Sequence, residues 1–207
     1  MFQAVKTVWL LGMFLLCGTL QAGDIPDSAD KISPLLVGAK VPSLVLTSID
    51  NELFDLNEAI AQKPAVLIFY RGSWCPYCNR HLSELKDAEA ELIELGYQIF
   101  ALSPDKPENL KTTLEKNEIK YTLLSDSKME AASAFGIAFK VRDETLTRYE
   151  EYGIDLEASS GEKHHLLPVP AVFLVSTDGM ILFHYVNPNY KVRLKKEVIL
   201  AAAKAFQ

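Results

Sequence analysis

The apolar run Ala65-Val-Leu-Ile-Phe-Tyr70 sets the frame of the chain. Its length suits a strand, and its lack of alternation suits a central strand covered on both faces. Before it, Leu44, Leu46, Leu53 and Leu56 flank Asp50-Asn51 and predict a hairpin. After it, Pro76 to Leu95 carries Leu82, Leu85, Leu92 and Leu95 at helical spacing, with Gly96 as the stop. Tyr97 to Leu102 predicts the next strand, 107–117 a helix, Tyr121 to Leu124 a short strand, and 127–135 a helix ended by Gly136. Within 140–168, ETLTRYEEY predicts one amphipathic helix with Leu146 and Tyr149 on one side and Gly153 as cap, and ASSGEKHH a loop. Ala171 to Val175 predicts a strand, Thr177-Asp178-Gly179 a tight turn, Met180 to Val186 the hairpin partner, and Lys191 to Phe206 a closing helix. Strands alternating with helices and ending in a hairpin imply one α/β domain with a mixed sheet over 38–207. The polar, proline-containing residues 23–37 read as a linker.

The first 22 residues have a different pattern. One positive charge, Lys6, precedes the 13-residue apolar run VWLLGMFLLCGTL, and Gln21-Ala22 follows. This is the layout of a secretory signal peptide, with cleavage expected after Ala22. The run is short for a bilayer span, and an uncleaved anchor is the alternative. Export to an oxidising compartment, the periplasm, is therefore expected. Net charge is −6, and without Lys6 it becomes −7. No block of lysine and arginine interrupts that acidic balance, so neither nucleic acid nor a stable membrane partner is expected. The oligomeric state is not fixed by the pattern.

Removal of the leader takes Cys17 with it. Cys75 and Cys78, in YRGSWCPYCNRH (70–81), are then the only cysteines. Disulfides persist in exported proteins, but a bridge across two intervening residues closes almost no loop and is a poor staple. The predicted strand and helix put Cys75 at a helix N-terminus. Unpaired backbone N–H groups and the helix dipole favour a thiolate there. Pro76 suits the first helical turn. Cys75 is thus expected to attack, and Cys78, one turn further in, to resolve, the pair cycling between dithiol and disulfide. Arg71 is a candidate source of positive potential, and Trp74 and Tyr77 of an apolar rim. The plain alternatives are that Arg71 and Arg80 are solvated charges and that Trp74 belongs partly to the core. A metal site would need His81 or His164-His165 as further ligands, and no second cysteine pair is present.

The order of elements together with WCPYC resembles the thioredoxin superfamily. Within it, residues 38–206, with FYRGSWCPYC, are similar to the alkyl hydroperoxide reductase/thiol-specific antioxidant branch, the peroxiredoxins and their relatives. The resemblance implies a thioredoxin-like fold with an N-terminal β-hairpin extension. It implies a cis-proline at Val169-Pro170, facing the cysteines, with Val169 pairing with bound peptide. It also implies a peroxide-attacking Cys75, oxidised to a sulfenic acid and resolved by Cys78. No cofactor is implied beyond an external thiol reductant, either a thioredoxin-like protein or a small thiol.

Three positions depart from the family. Gly72 stands where a threonine or serine is usual, three residues before the reactive cysteine. Pro170 and Ala171 occupy the region of the peroxide-polarising arginine, and Phe69 the place of the superfamily's buried acid. The leading expectation is an exported thiol-dependent antioxidant that reduces hydroperoxides. The alternatives are a protein disulfide oxidoreductase with the same CPYC pair and a non-enzymatic metal-binding protein.

Overall fold

The computed structural model describes residues 24–207; the predicted leader and Cys17 lie outside them. Among the described residues, no helix is long and apolar enough to cross a membrane. The hairpin is β1 (Val45–Ser48) and β2 (Leu53–Asp55), and α1 (Leu56–Gln62) follows. Next come β3 (Ala65–Phe69), α2 (Pro76–Glu94), β4 (Gln98–Ser103), α3 (Pro107–Asn117), β5 (Thr122–Ser125) and α4 (Glu130–Ala134). An excursion of β6 (Ala138–Lys140), α5 (Asp143–Glu151), α6 (Leu156–Ser160) and β7 (Leu166–Pro168) leads to β8 (Ala171–Val175), β9 (Ile181–Val186) and α7 (Lys196–Ala205).

Seven strands form one mixed sheet in the order β2-β1-β5-β4-β3-β8-β9. β3 runs parallel to β4 and antiparallel to β8. All five β3 residues are buried because each face is covered. Ala65, Leu67 and Phe69 enter a core that includes Leu56 and Ile60 of α1, Ala131 and Ala132 of α4, and Phe135 and Phe173. Val66, Ile68 and Tyr70 enter the opposite core, against Leu82, Leu85 and Leu92 of α2 and Ile199 and Ala203 of α7.

That sheet positions the site. β3 ends at Phe69, directly before the cysteine turn, and Phe69 pairs with Ala171. Continuing the antiparallel register by one residue places Pro170 beside Tyr70. The parallel neighbour β4 ends close by, and Tyr70 N–H donates to the Leu102 carbonyl at 3.0 Å.

Several expectations change. The segment 187–195 is a loop, and the closing helix starts only at Lys196. Two asparagines explain this: Asn187 Oδ1 accepts from the Asn189 amide and Asn189 Oδ1 from the Lys191 amide, local bonds that compete with a helix. ASSGEKHH is not all loop, since Ala158–Ser160 complete α6, capped by Asp155 Oδ1 on the Ala158 amide. The two-stranded β6–β7 ladder was not foreseen. Described residues of the polar N-terminal stretch bond to the domain: the Pro26 carbonyl accepts from Lys140 N–H, Ser33 N–H donates to Gly136 and Leu35 N–H to Phe135. Gly136 permits that approach, because a Cβ there would lie 2.0 Å from the Ser33 oxygen.

Candidate active site

Cys75 is the N-cap of α2, with Pro76 as the first helical residue. Its carbonyl accepts from the Cys78 amide at 3.0 Å and the Asn79 amide at 3.1 Å, and its own N–H closes a turn onto Gly72. Both cysteines are free thiols, each only 1% exposed. The Cys75 thiol is lowered to about 6, chiefly by the hydrogen bond from Cys78 and then, against the cost of burial, by the Arg71 charge. Cys78 is pushed well up by its own burial and by keeping the proton it donates to Cys75. The two sulfurs therefore differ, Cys75 biased toward thiolate and Cys78 toward thiol.

Arg71 is 4% exposed, so the solvated reading does not hold for it. Its guanidinium carbon lies 4.1 Å from the Tyr190 ring centroid and 5.0 Å from that of Trp74, and Nη2 donates to Tyr149 Oη. Among the described residues no carboxylate forms an ion pair with it. Burial works against its charge, and Cys75 is the first group that restores it. Arg80, by contrast, is the exposed charge expected of it, paired with Glu84 at 3.0 Å. Trp74 is partly buried against Tyr149 at 5.4 Å and joins the small core of the excursion, formed by Val141, Leu156 and Leu167. Tyr77 is 40% exposed and meets the Tyr190 ring edge-on at 5.7 Å.

The Val169–Pro170 peptide is trans, contrary to the cis-proline expected there. Val169 N–H is also already committed, donating to the Ile137 carbonyl at 2.8 Å beside the β6–β7 ladder, so it is not free for a bound peptide. Both residues share a cleft of about 210 Å³ with Arg71, Arg142, Tyr149 and Tyr190, although neither cysteine lines it.

A buried acid does lie near the cysteine turn, though not before Cys75 in the chain. Asp105, just past β4, is fully buried, and its Oδ2 accepts the Ser73 amide at 2.6 Å. Burial raises its carboxyl to about 6, and the nearby Cys75 charge acts in the same direction. The signal was present as Ser103-Pro104-Asp105 at the C-terminal end of a parallel strand, where α/β sheets build their sites. Asp105 also accounts for Gly72. At φ +134°, a Cβ on Gly72 would sit 2.6 Å from Trp74 Nε1 and 2.9 Å from Asp105 Oδ1, leaving no room for threonine.

The histidines turn elsewhere. His81 is buried, its Nε2 3.1 Å from the Leu194 carbonyl, and burial lowers it to about 4. His164 reaches the Ser127 carbonyl and His165 the Glu157 carboxylate. Among the described residues, no three of His, Cys, Asp and Glu gather as a metal site.

The AhpC/TSA family model matches residues 37–184. The chain belongs to the AhpC/TSA family. It is 32% identical over 106 residues to a putative peroxiredoxin, bcp, of Haemophilus influenzae, covering 51% of this chain and 68% of that one. It is 18% identical over 185 residues to the thiol-disulfide oxidoreductase ResA of Bacillus thuringiensis, 89% of each chain. Among solved structures, reduced Prx3 of Vibrio vulnificus in complex with hydrogen peroxide superposes with a TM-score of 0.67 at 18% identity, covering 82% of this chain and 99% of that one. As an AhpC/TSA protein with a thioredoxin-type fold, the chain is a thiol-based oxidoreductase.

Proposed function

We propose that this AhpC/TSA protein is an exported thiol peroxidase in which Cys75 reduces a hydroperoxide and Cys78 resolves the product. The observation that carries the reading is the burial of the nucleophile. Cys75 is 1% exposed, and Arg71, whose charge favours its thiolate, stacks on Tyr190 and Trp74 and lines a cleft of about 210 Å³ with Tyr149 and Tyr190. A protein disulfide needs its sulfur in line with the attacking thiolate, with bulky chain on both sides. A hydroperoxide needs far less room.

The Cys75 thiolate attacks the distal peroxide oxygen, the O–O bond breaks, and the departing alkoxide or hydroxide takes a proton from solvent to leave as alcohol or water. Arg71, a buried guanidinium beside the thiolate, holds that developing charge in place of the family's absent strand arginine. The Cys78 sulfur then attacks the Cys75 sulfenic acid; the S–S bond forms and hydroxide leaves as water. Two thiol equivalents from an external donor, a thioredoxin-like protein or a small thiol, return both cysteines, so no bound cofactor is required. Export to the periplasm rests on the leader pattern alone.

The second reading, protein disulfide exchange, is favoured by one observation: a CPYC pair at a helix N-terminus with both cysteines free. The test is rapid mixing of reduced protein with hydrogen peroxide and, separately, with a protein disulfide. Fast peroxide consumption, with a Cys75 sulfenic acid that persists in Cys78→Ser, is expected. Slow peroxide reaction beside fast protein-disulfide exchange would overturn the peroxidase reading.

A further inference from the structure

Cys78 has a cation of its own. Arg193, in the loop before α7, places Nη2 3.2 Å from Cys78 Sγ. Its Nε and Nη1 are buried without hydrogen-bond partners, and among the described residues no carboxylate pairs with it. Arg193 is half-buried, and a guanidinium with two buried nitrogens and no anion beside it is costly unless one forms there. The loop is fixed in place rather than draped. Leu194, the next residue, is buried in the α2–α7 core, and its carbonyl meets His81 Nε2, one turn beyond Cys78 on the same helix. We propose that Arg193 is a catalytic residue of the resolving step, holding the negative charge on Cys78 sulfur as it attacks oxidised Cys75 and as it leaves during re-reduction.

The two arginines differ in place. Both favour the Cys75 thiolate, Arg71 more than Arg193. Arg71 stacks on the Tyr190 and Trp74 rings and lines the cleft. Arg193 touches the second sulfur and does not line that cleft. In closure, Cys78 sulfur gives an electron pair to Cys75 sulfur, the S–S bond forms, and hydroxide leaves from the sulfenic acid to become water. In re-reduction, an external thiolate attacks Cys75 sulfur, the S–S bond breaks, and the pair returns to Cys78 as a thiolate under Arg193. Arg193 thus favours the thiolate both as nucleophile and as leaving group. The other titratable or charged groups around Cys78 are Cys75, Arg71 and Tyr70 at the end of β3 and in the turn, and His81 on α2, which stays neutral beside Arg193.

The inference rests on the Cys75–Cys78 cycle of the proposed function but not on peroxide as the oxidant. Arg193→Gln and Arg193→Lys are oxidised in single turnover, quenched at intervals, and the sulfenic acid and disulfide quantified by mass spectrometry across a pH series. Peroxide consumption at Cys75 is expected to change by less than about threefold, while closure in Arg193→Gln slows by about tenfold or more near neutral pH, as for a thiolate made about one pK unit less acidic. That closure rate recovers as pH rises, and Arg193→Lys restores part of it at neutral pH. A closure rate and pH profile unchanged in Arg193→Gln would overturn the proposal. So would equal slowing of oxidation and closure, which marks a purely structural role. Should peroxide fail to oxidise Cys75 in the parent protein, oxidised glutathione loads it as a mixed disulfide. Cys78 closure with release of glutathione is then the same test, so the two ideas fail separately.

Discussion

Asp105 Oδ2 accepts the Ser73 amide at 2.6 Å, tying the end of β4 to the turn that presents Cys75. Its other oxygen, Oδ1, is buried without a partner in the space that only a glycine at position 72 leaves open. One carboxylate thus fixes the turn and sets a buried charge close to the nucleophile.

That charge has a stability signature. The Asp105 carboxyl is raised to about 6 in the folded chain against an ordinary value of 3.8. The native state then binds a proton that the unfolded chain has lost, so stability falls as pH rises from about 4 through 6 and stays lower above. Asp105→Asn retains an acceptor for Ser73 and loses the titration. Relative to the parent protein it is expected to gain on the order of 2–3 kcal/mol between about pH 4 and pH 7 in denaturant unfolding. Parallel curves for the two proteins across that range would contradict it.

The thiolate assignment is checked by absorbance near 240 nm against pH. Cys75, lowered to about 6, is expected to ionise well before an ordinary thiol. Its strongest support is the Cys78 hydrogen bond and its next the Arg71 charge. The midpoint should therefore rise in Cys78→Ala and also in Arg71→Met, by about one pH unit or more in the first. A midpoint near that of a free thiol in the parent protein would remove the electrostatic basis for Cys75 as nucleophile.

How far the chain was legible follows from the range of each signal. β3, α2, α3 and β8 were readable because their patterns are local: a run buried on both faces, or apolar positions at helical spacing with proline and glycine at the ends. Cys75 at a strand-to-helix junction came with them. Arg193 was hidden, because its segment reads as helix until Asn187 and Asn189 turn the chain with side-chain bonds. Asp105 had a weak signal in its place after a parallel strand, but its contact with the turn crosses a strand pair and is set by sheet order rather than by spacing. The β6–β7 ladder and α6 are short and draw their stability from packing beneath Trp74, which leaves little periodicity to read.

Gly72 tests whether the family's usual hydroxyl can simply be restored. Gly72→Thr would force a Cβ into contact with Trp74 Nε1 and Asp105 Oδ1 at φ +134°. The substitution is expected to cost about 1–3 kcal/mol from backbone strain alone and to slow Cys75 oxidation. Thermal unfolding and single-turnover oxidation report the two effects. A variant as stable as the parent and faster with peroxide would show that the turn can adapt.

The last prediction concerns access to Cys75. No α5 residue is fully buried, and the helix touches the site through Tyr149, which accepts from Arg71 and packs on Trp74. Few buried contacts mean a low cost of local opening. Tyr149→Ala removes both the hydroxyl and the ring, whereas Tyr149→Phe removes only the hydroxyl. If access limits bulky substrates, Tyr149→Ala should raise the rate with a protein disulfide by about tenfold, the effect of weakening the closed state by about 1.4 kcal/mol. Tyr149→Phe should raise it less, and hydrogen peroxide, small enough for the closed cleft, should respond weakly to either. Equal acceleration of both substrates would point to a change at Arg71 and Cys75 themselves. No acceleration of the bulky one would mean that α5 does not gate the site.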